Sequence, residues 1–208
     1  MMQLIKKTTL LLVVLAYLFL DSFSQDHIIL LSGKEIQGKV LEINQNDIKY
    51  LKQKKKKTKE LYIDKNDVFA IQYEDRLTKI LYHPDSSDLY DFSISEMSMY
   101  INGEQDALKN YKSPVATING FVVGATAGVF VPTFYALLFP ASYVMIEGLI
   151  YPKLRKESVS NPNYLQEEIY IRGFKASAKN IKIQNVIKGS VIGLVSGIII
   201  RAIIIKNN

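Results

Sequence analysis

Acid–base or nucleophilic catalysis needs a base held against a nucleophile, and this chain is poor in both. It has no cysteine and two histidines, His27 and His83. The lack of cysteine excludes thiolate chemistry, disulfides, cysteine-ligated metals and lipid attachment at cysteine. Neither histidine lies in a triad-like pattern, and the sequence has neither a His-Glu-xx-His motif nor a phosphate-binding glycine loop. Asp85, Asp88 and Asp91 are spaced by three, as in the start of a cation loop. They lack the following glycine turn and the glutamate at the twelfth position that calcium requires, so loop solvation is the better account. Glu147 is the one acid to single out, because an ionisable group in apolar surroundings is expensive and often functional. Its nearness to the end of the apolar run at Ile150 also allows a plainer reading, a wetted side chain. The residues therefore predict no catalytic group, no metal and no cofactor, and the chain reads as non-enzymatic.

What remains is charge and hydrophobic patterning. Of the 208 residues, 48% are apolar and 22% charged, and 26 Lys and Arg against 20 Asp and Glu leave a net charge of +6. Such a balance suits nucleic acid, anionic lipid or an acidic partner, and the compartment decides between them. Lys6 and Lys7 precede an uncharged run from Thr8 to Leu20, with small residues at Ser22 and Ser24. These are the parts of a secretory signal peptide over residues 1–24. The run is short of the roughly 20 residues that cross a bilayer. A retained anchor is the alternative. Both readings export the domain after it, so nucleic acid is not expected as a partner.

Residues 26–83 alternate apolar and polar positions in five or six short runs separated by polar turns. Glu35 to Ile43 reads as one strand. The pattern predicts a small antiparallel β sheet or barrel with a thin core. Lys52, Lys54, Lys55, Lys56, Lys57 and Lys59 fall between two of its strands and predict an extended, solvated loop. That loop could meet lipid phosphate or an acidic partner, or simply guard an edge. Over residues 84–114, Ser93 or Ser95 caps a juxtamembrane helix with Glu96 in its first turn. Gly103 interrupts its apolar face, and Pro114 ends the segment.

Two apolar blocks come next. Residues 115–150 carry a single charge, Glu147. As one helix they would reach about 54 Å, beyond a hydrocarbon core of about 30 Å. One crossing with an interfacial extension or a hairpin broken at Pro132 or Pro140 would both fit. The second block, residues 183–205, has the length of a transmembrane helix. Gly120, Gly124 and Gly128 form a stripe on the first block, and Gly189, Gly193 and Gly197 form another on the second. Repeated glycine in a helix is unfavourable by about 1 kcal/mol each, so the stripes predict close helix packing, within one chain or between chains. Between the blocks, residues 151–182 are basic. The positive-inside rule favours one crossing per block, with this segment in the cytoplasm. Lys175, Lys179 and Lys182 make a helical stripe suited to an anionic surface.

Ile36-Gln-Gly-Lys-Val40, Glu96-Met97, Gly103-Glu-Gln-Asp-Ala107 with Tyr111, Pro162-Asn-Tyr164, Gly173-Phe174 and Gly189-xxx-Gly193 together resemble an uncharacterised family of exported envelope proteins from Bacteroidetes-type bacteria. That resemblance implies an exported domain followed by glycine-rich hydrophobic helices, and no activity. The sequence thus predicts a β-plus-membrane-α protein of the cell envelope, with its β domain on the periplasmic side. Its expected partners are membrane lipid and either itself or another membrane protein. A pore or transport subunit and a lipid- or glycan-processing enzyme are the alternatives.

Overall fold

The computed structural model describes residues 25–54, 57–85 and 91–207. The segment 1–24 expected to be a signal peptide, Lys55, Lys56 and Asp88 lie outside the described residues. The chain divides into two compact units. One holds Glu35–Leu81 with the described residues up to Ile29, and the other holds Leu30–Lys34 with the chain from Tyr82 onward.

The first unit is built from short strands: β1 (His27–Leu30), β2 (Glu35–Gln37), β3 (Lys39–Ile43), β4 (Asp47–Lys54), β5 (Lys57–Asp64), β6 (Val68–Gln72) and β7 (Thr78–Ile80). They form two sheets, ordered β2-β1-β6-β7 and β3-β4-β5, in place of the single curled sheet or barrel that the sequence suggests. The expected strand from Glu35 to Ile43 is divided at Gly38. A Cβ there would stand 2.6 Å from the Leu51 carbonyl oxygen, so the chain passes β4 closely at this point and leaves one sheet for the other. Asp26 secures the crossing. Its carboxylate accepts the backbone N–H of Val40 at 2.8 Å and of Glu74 at 3.1 Å. The thin core consists of Ile28, Ile48, Val68, Ala70 and Ile71, with Tyr50, Phe69 and Leu81 at its margin.

The described lysines of the run, Lys52, Lys54, Lys57 and Lys59, lie on strands and not in a loop. β4 and β5 stay in register to their tip, with Lys52 opposite Lys59 and Lys54 opposite Lys57. The apolar positions Ile48, Tyr50, Leu61 and Ile63 fix the ladder, and the lysines inherit its register. Like charges facing across strands are unfavourable. Lys52, Lys57 and Lys59 are exposed, where solvent screens that repulsion.

The second unit is helical: α1 (Ile94–Asn110), α2 (Pro114–Phe130), a single turn α3 (Thr133–Ala136), α4 (Leu138–Leu149) and α5 (Glu168–Asn207). Ser93 caps α1 in a capping box, its hydroxyl accepting the Glu96 N–H while the Glu96 carboxylate accepts the Ser93 N–H. α1 and α2 meet at a 66° bend. Pro114 causes it by disfavouring helical geometry before it and by occupying the first position of α2. α5 is one uninterrupted helix of 40 residues, about 60 Å long. The sequence divides this stretch into a basic segment and an apolar block. No proline intervenes between Glu168 and Asn207, and the backbone carries straight through.

Cross-helix hydrogen bonds establish the directions. Asn185 on α5 donates to the Ser113 hydroxyl at the foot of α2, and Arg201 donates to the Val131 carbonyl at its other end. α2 and α5 are therefore parallel. Lys182 reaches the carbonyls of Glu147 and Ile150, so the end of α4 returns to the level at which α2 starts. The block from 115 to 150 accordingly folds back on itself. Val131 leaves helical geometry immediately before Pro132, which supplies the break. Pro140, the other candidate, sits in the first turn of α4, where its missing N–H costs no intrahelical bond. Among the described residues only α5 is by itself long and apolar enough to cross a membrane.

Candidate functional site

The two glycine stripes meet within one chain. A Cβ on Gly120, Gly124 or Gly128 would lie under 3.0 Å from the backbone of Val186, Ser190 or Leu194. Reciprocally, one on Gly189, Gly193 or Gly197 would meet the carbonyls of Thr117, Phe121 or Ala125. The seam continues below the bend, where Gly103 faces the Tyr170 carbonyl and Gly173 faces that of Tyr100. Gly103, a blemish on the α1 face when read from sequence, is thus a place where α5 comes close. With small residues inside, the large ones face out: Phe130 is 79% exposed and Leu149 80%, and Val122, Ile192 and Ile199 are also outward.

The acid singled out by the sequence, Glu147, is neither wetted nor free. Its carboxylate is 2.5 Å from the Lys182 ammonium, and both side chains are largely buried. It also accepts the Tyr143 hydroxyl at 2.7 Å. Lys182 therefore does not belong to an outward basic stripe. Lys179 is turned as well, with its ammonium 4.5 Å from the centre of the Tyr151 ring. Lys175 is half-buried. The stripe is redirected because α4 returns against it and offers a carboxylate, carbonyls and an aromatic face.

Beside this ion pair, at the foot of α2, lies an open cavity of about 510 Å³. Four cations line it (Lys112, Lys153, Arg155 and Lys182) against the single carboxylate of Glu147. Lys112 comes from the α1–α2 bend. Lys153 and Arg155 come from the segment after α4, which is held by Leu154 packing on Phe174 and Ala178. Polar groups from Asn110, Ser113 and Asn119 complete the lining. One to two turns further along α4 and α5, Val144, Met145, Ile187 and Val191 line an apolar groove of about 370 Å³.

A second polar centre lies between α1 and the start of α5. Asp106 is buried and accepts the Tyr170 hydroxyl at 2.6 Å and the Ser160 N–H at 2.8 Å. Burial first, and this bond next, hold the Tyr170 hydroxyl well above its ordinary range. Glu104, two residues earlier, is also buried and has one carboxylate oxygen without a hydrogen-bond partner. Burial pushes its carboxyl up to about 7. Gly33, with φ +69°, rests on its Cβ. The sequence reading missed this pair, although two acids inside an otherwise apolar helix face were a visible signal.

Of the aspartate triplet, Asp85 and Asp91 are described and lie against each other. Asp91 accepts the Tyr82 hydroxyl at 2.7 Å and the Asp85 N–H at 2.6 Å, which stitches the segment leading into α1. Burial and that bond push the Tyr82 hydroxyl up to about 12. No cluster of metal-ligating side chains occurs among the described residues. Family models, curated proteins and solved structures all give no match to this chain, so its function has to be read from the geometry alone.

Proposed function

We propose that this chain is a non-enzymatic membrane protein of a bacterial cell envelope, in which α2, α4 and the C-terminal half of α5 lie in the bilayer. The β unit is its exported interaction module. The observation that carries the reading is the inverted packing of the helical unit. Glycine, alanine and serine fill the α2–α5 seam, while Phe130, Leu149, Ile192 and Ile199 face outward. Water penalises that arrangement, and lipid favours it. Tyr111, Tyr143 and Tyr151 gather at the level of Lys182, as aromatic residues do at a bilayer surface.

In this reading α2 and α4 form a re-entrant hairpin and α5 crosses. The hairpin returns the chain to the side it entered from, so residues 151–182 follow it on the side of the exported β unit, and the C-terminus lies on the other. This is contrary to the one-crossing-per-block topology that the positive-inside rule favours. The engagement of Glu147 and Asp91 by structural partners supports a role without acid–base catalysis.

Single cysteines at Ser158, Ile192 and Lys206, in a chain with no native cysteine, test the arrangement with an impermeant thiol reagent in cells whose outer membrane is permeabilised. Labelling at Ser158 only is expected, with Ile192 and Lys206 reacting after lysis in detergent. Reaction at Ile192 before lysis would overturn the membrane reading. Reaction at Lys206 without Ser158 would reverse the orientation.

A further inference from the structure

We propose that the cavity at the α1–α2 bend is a binding site for a phosphate group, either the headgroup phosphate of an anionic phospholipid or free phosphate. Charge makes the first argument. Glu147 is the only acid among the described residues that line the cavity, and Lys182 already neutralises it. Lys112, Lys153 and Arg155 are exposed, and none is within ion-pair distance of a carboxylate among the described residues. Three uncompensated cations converging on one concavity repel each other, and an anion between them removes that repulsion.

Geometry makes the second argument. The segment carrying Lys153 and Arg155 is not free to splay, because Pro152 and Leu154 anchor it between them. The cavity is therefore preformed, and a bound phosphate would meet an arginine fork and ammonium donors together. Charge-assisted bonds of this kind are the strong ones. At about 510 Å³ it accommodates a headgroup with room for water.

Position makes the third argument and favours the lipid source. The cavity sits at the level where α2 begins and α4 ends, which in the membrane reading is the bilayer surface. The apolar groove between α4 and α5 opens one to two turns further in, where an acyl chain would run. The inference rests on that reading only for the choice of source.

The test uses the full chain in phosphatidylcholine nanodiscs, with Ser158→Cys at the cavity rim carrying an environment-sensitive fluorophore. Short-chain phosphatidylglycerol, short-chain phosphatidylcholine and inorganic phosphate are titrated separately. A saturable response to phosphatidylglycerol, absent with phosphatidylcholine, is expected. It should weaken about tenfold or more in Lys112→Gln/Arg155→Gln, as loss of charge-assisted bonds requires. Lys39→Gln/Lys79→Gln, at exposed positions of the β unit, should leave it unchanged. Saturation by inorganic phosphate as well identifies the phosphate group as sufficient, and saturation by lipid alone identifies the headgroup. No saturable response to either overturns the proposal, as does equal weakening by both double variants, which would mean general surface charge. Retained helical circular dichroism guards against misfolding of the variants. Co-flotation with vesicles, measured in parallel, separates failure of this site from failure of the membrane reading.

Discussion

Replacing Gly124 by alanine tests the seam at the tightest of the three stripe glycines on α2. The added methyl would stand under 3.0 Å from backbone atoms of Ser190 and Leu194, with no flexible side chain to yield. The substitution gains about 1 kcal/mol of helix propensity. Forced overpacking loses about 1–3 kcal/mol, at the upper end when backbone is the obstacle. The net result is a loss of about 1–2 kcal/mol. Gly148 is the internal control. It lies in α4, and its nearest neighbour would be the Ile183 Cδ1 at 3.7 Å, an ordinary contact. Gly148→Ala keeps the propensity gain and should stabilise by up to about 1 kcal/mol. Thermal unfolding of both variants in one detergent, followed by circular dichroism, should therefore shift in opposite directions. Equal shifts would refute the argument that backbone proximity, and not glycine content, holds α2 against α5.

Lys182→Met strands the Glu147 carboxylate and should destabilise by about 3–5 kcal/mol, whereas Lys182→Met with Glu147→Gln should recover most of it; denaturant titration of the set decides. Burial holds the Glu104 carboxyl at about 7, above its ordinary 4.5, so its contribution is most favourable below pH 4.5 and is lost as pH rises to 7. Stability should fall by about 3 kcal/mol across that window, and Glu104→Gln should flatten the slope when melts are compared at each pH. Asp26→Ala removes the acceptor for Val40 and Glu74 and should loosen the β unit by about 2–3 kcal/mol, seen as faster amide exchange at those two positions.

Local signals in the sequence located most elements. The Ser93–Glu96 box starts α1, and Pro114 ends its path. The alternating runs became strands, and the glycine spacing marked the faces of α2 and α5 that meet. Failures came where a distant partner decides. Gly38 looks like any turn glycine until β4 passes beside it. The lysine run reads as a loop until the β4–β5 register is extended to its end. Lys179 and Lys182 read as an outward stripe until α4 returns with Tyr151 and Glu147. The cavity cations come from segments about 40 and 70 positions apart, and no local pattern links Lys112 to Arg155 or Lys182.

Periodicity, caps and glycine spacing are properties of neighbouring residues, and they follow from local chemistry alone: short strands first, long apolar helices after, and small residues on one helical face. The direction in which the chain returns after Pro132 is not such a property. A proline can end a helix and still leave the next one free to continue or reverse. Only packing of α4 against α2 and α5 selected reversal, with Lys182 capping its end. That choice put Glu147 into an ion pair, moved the basic segment beside the start of α2 and formed an open cavity lined by Lys112, Lys153, Arg155 and Lys182.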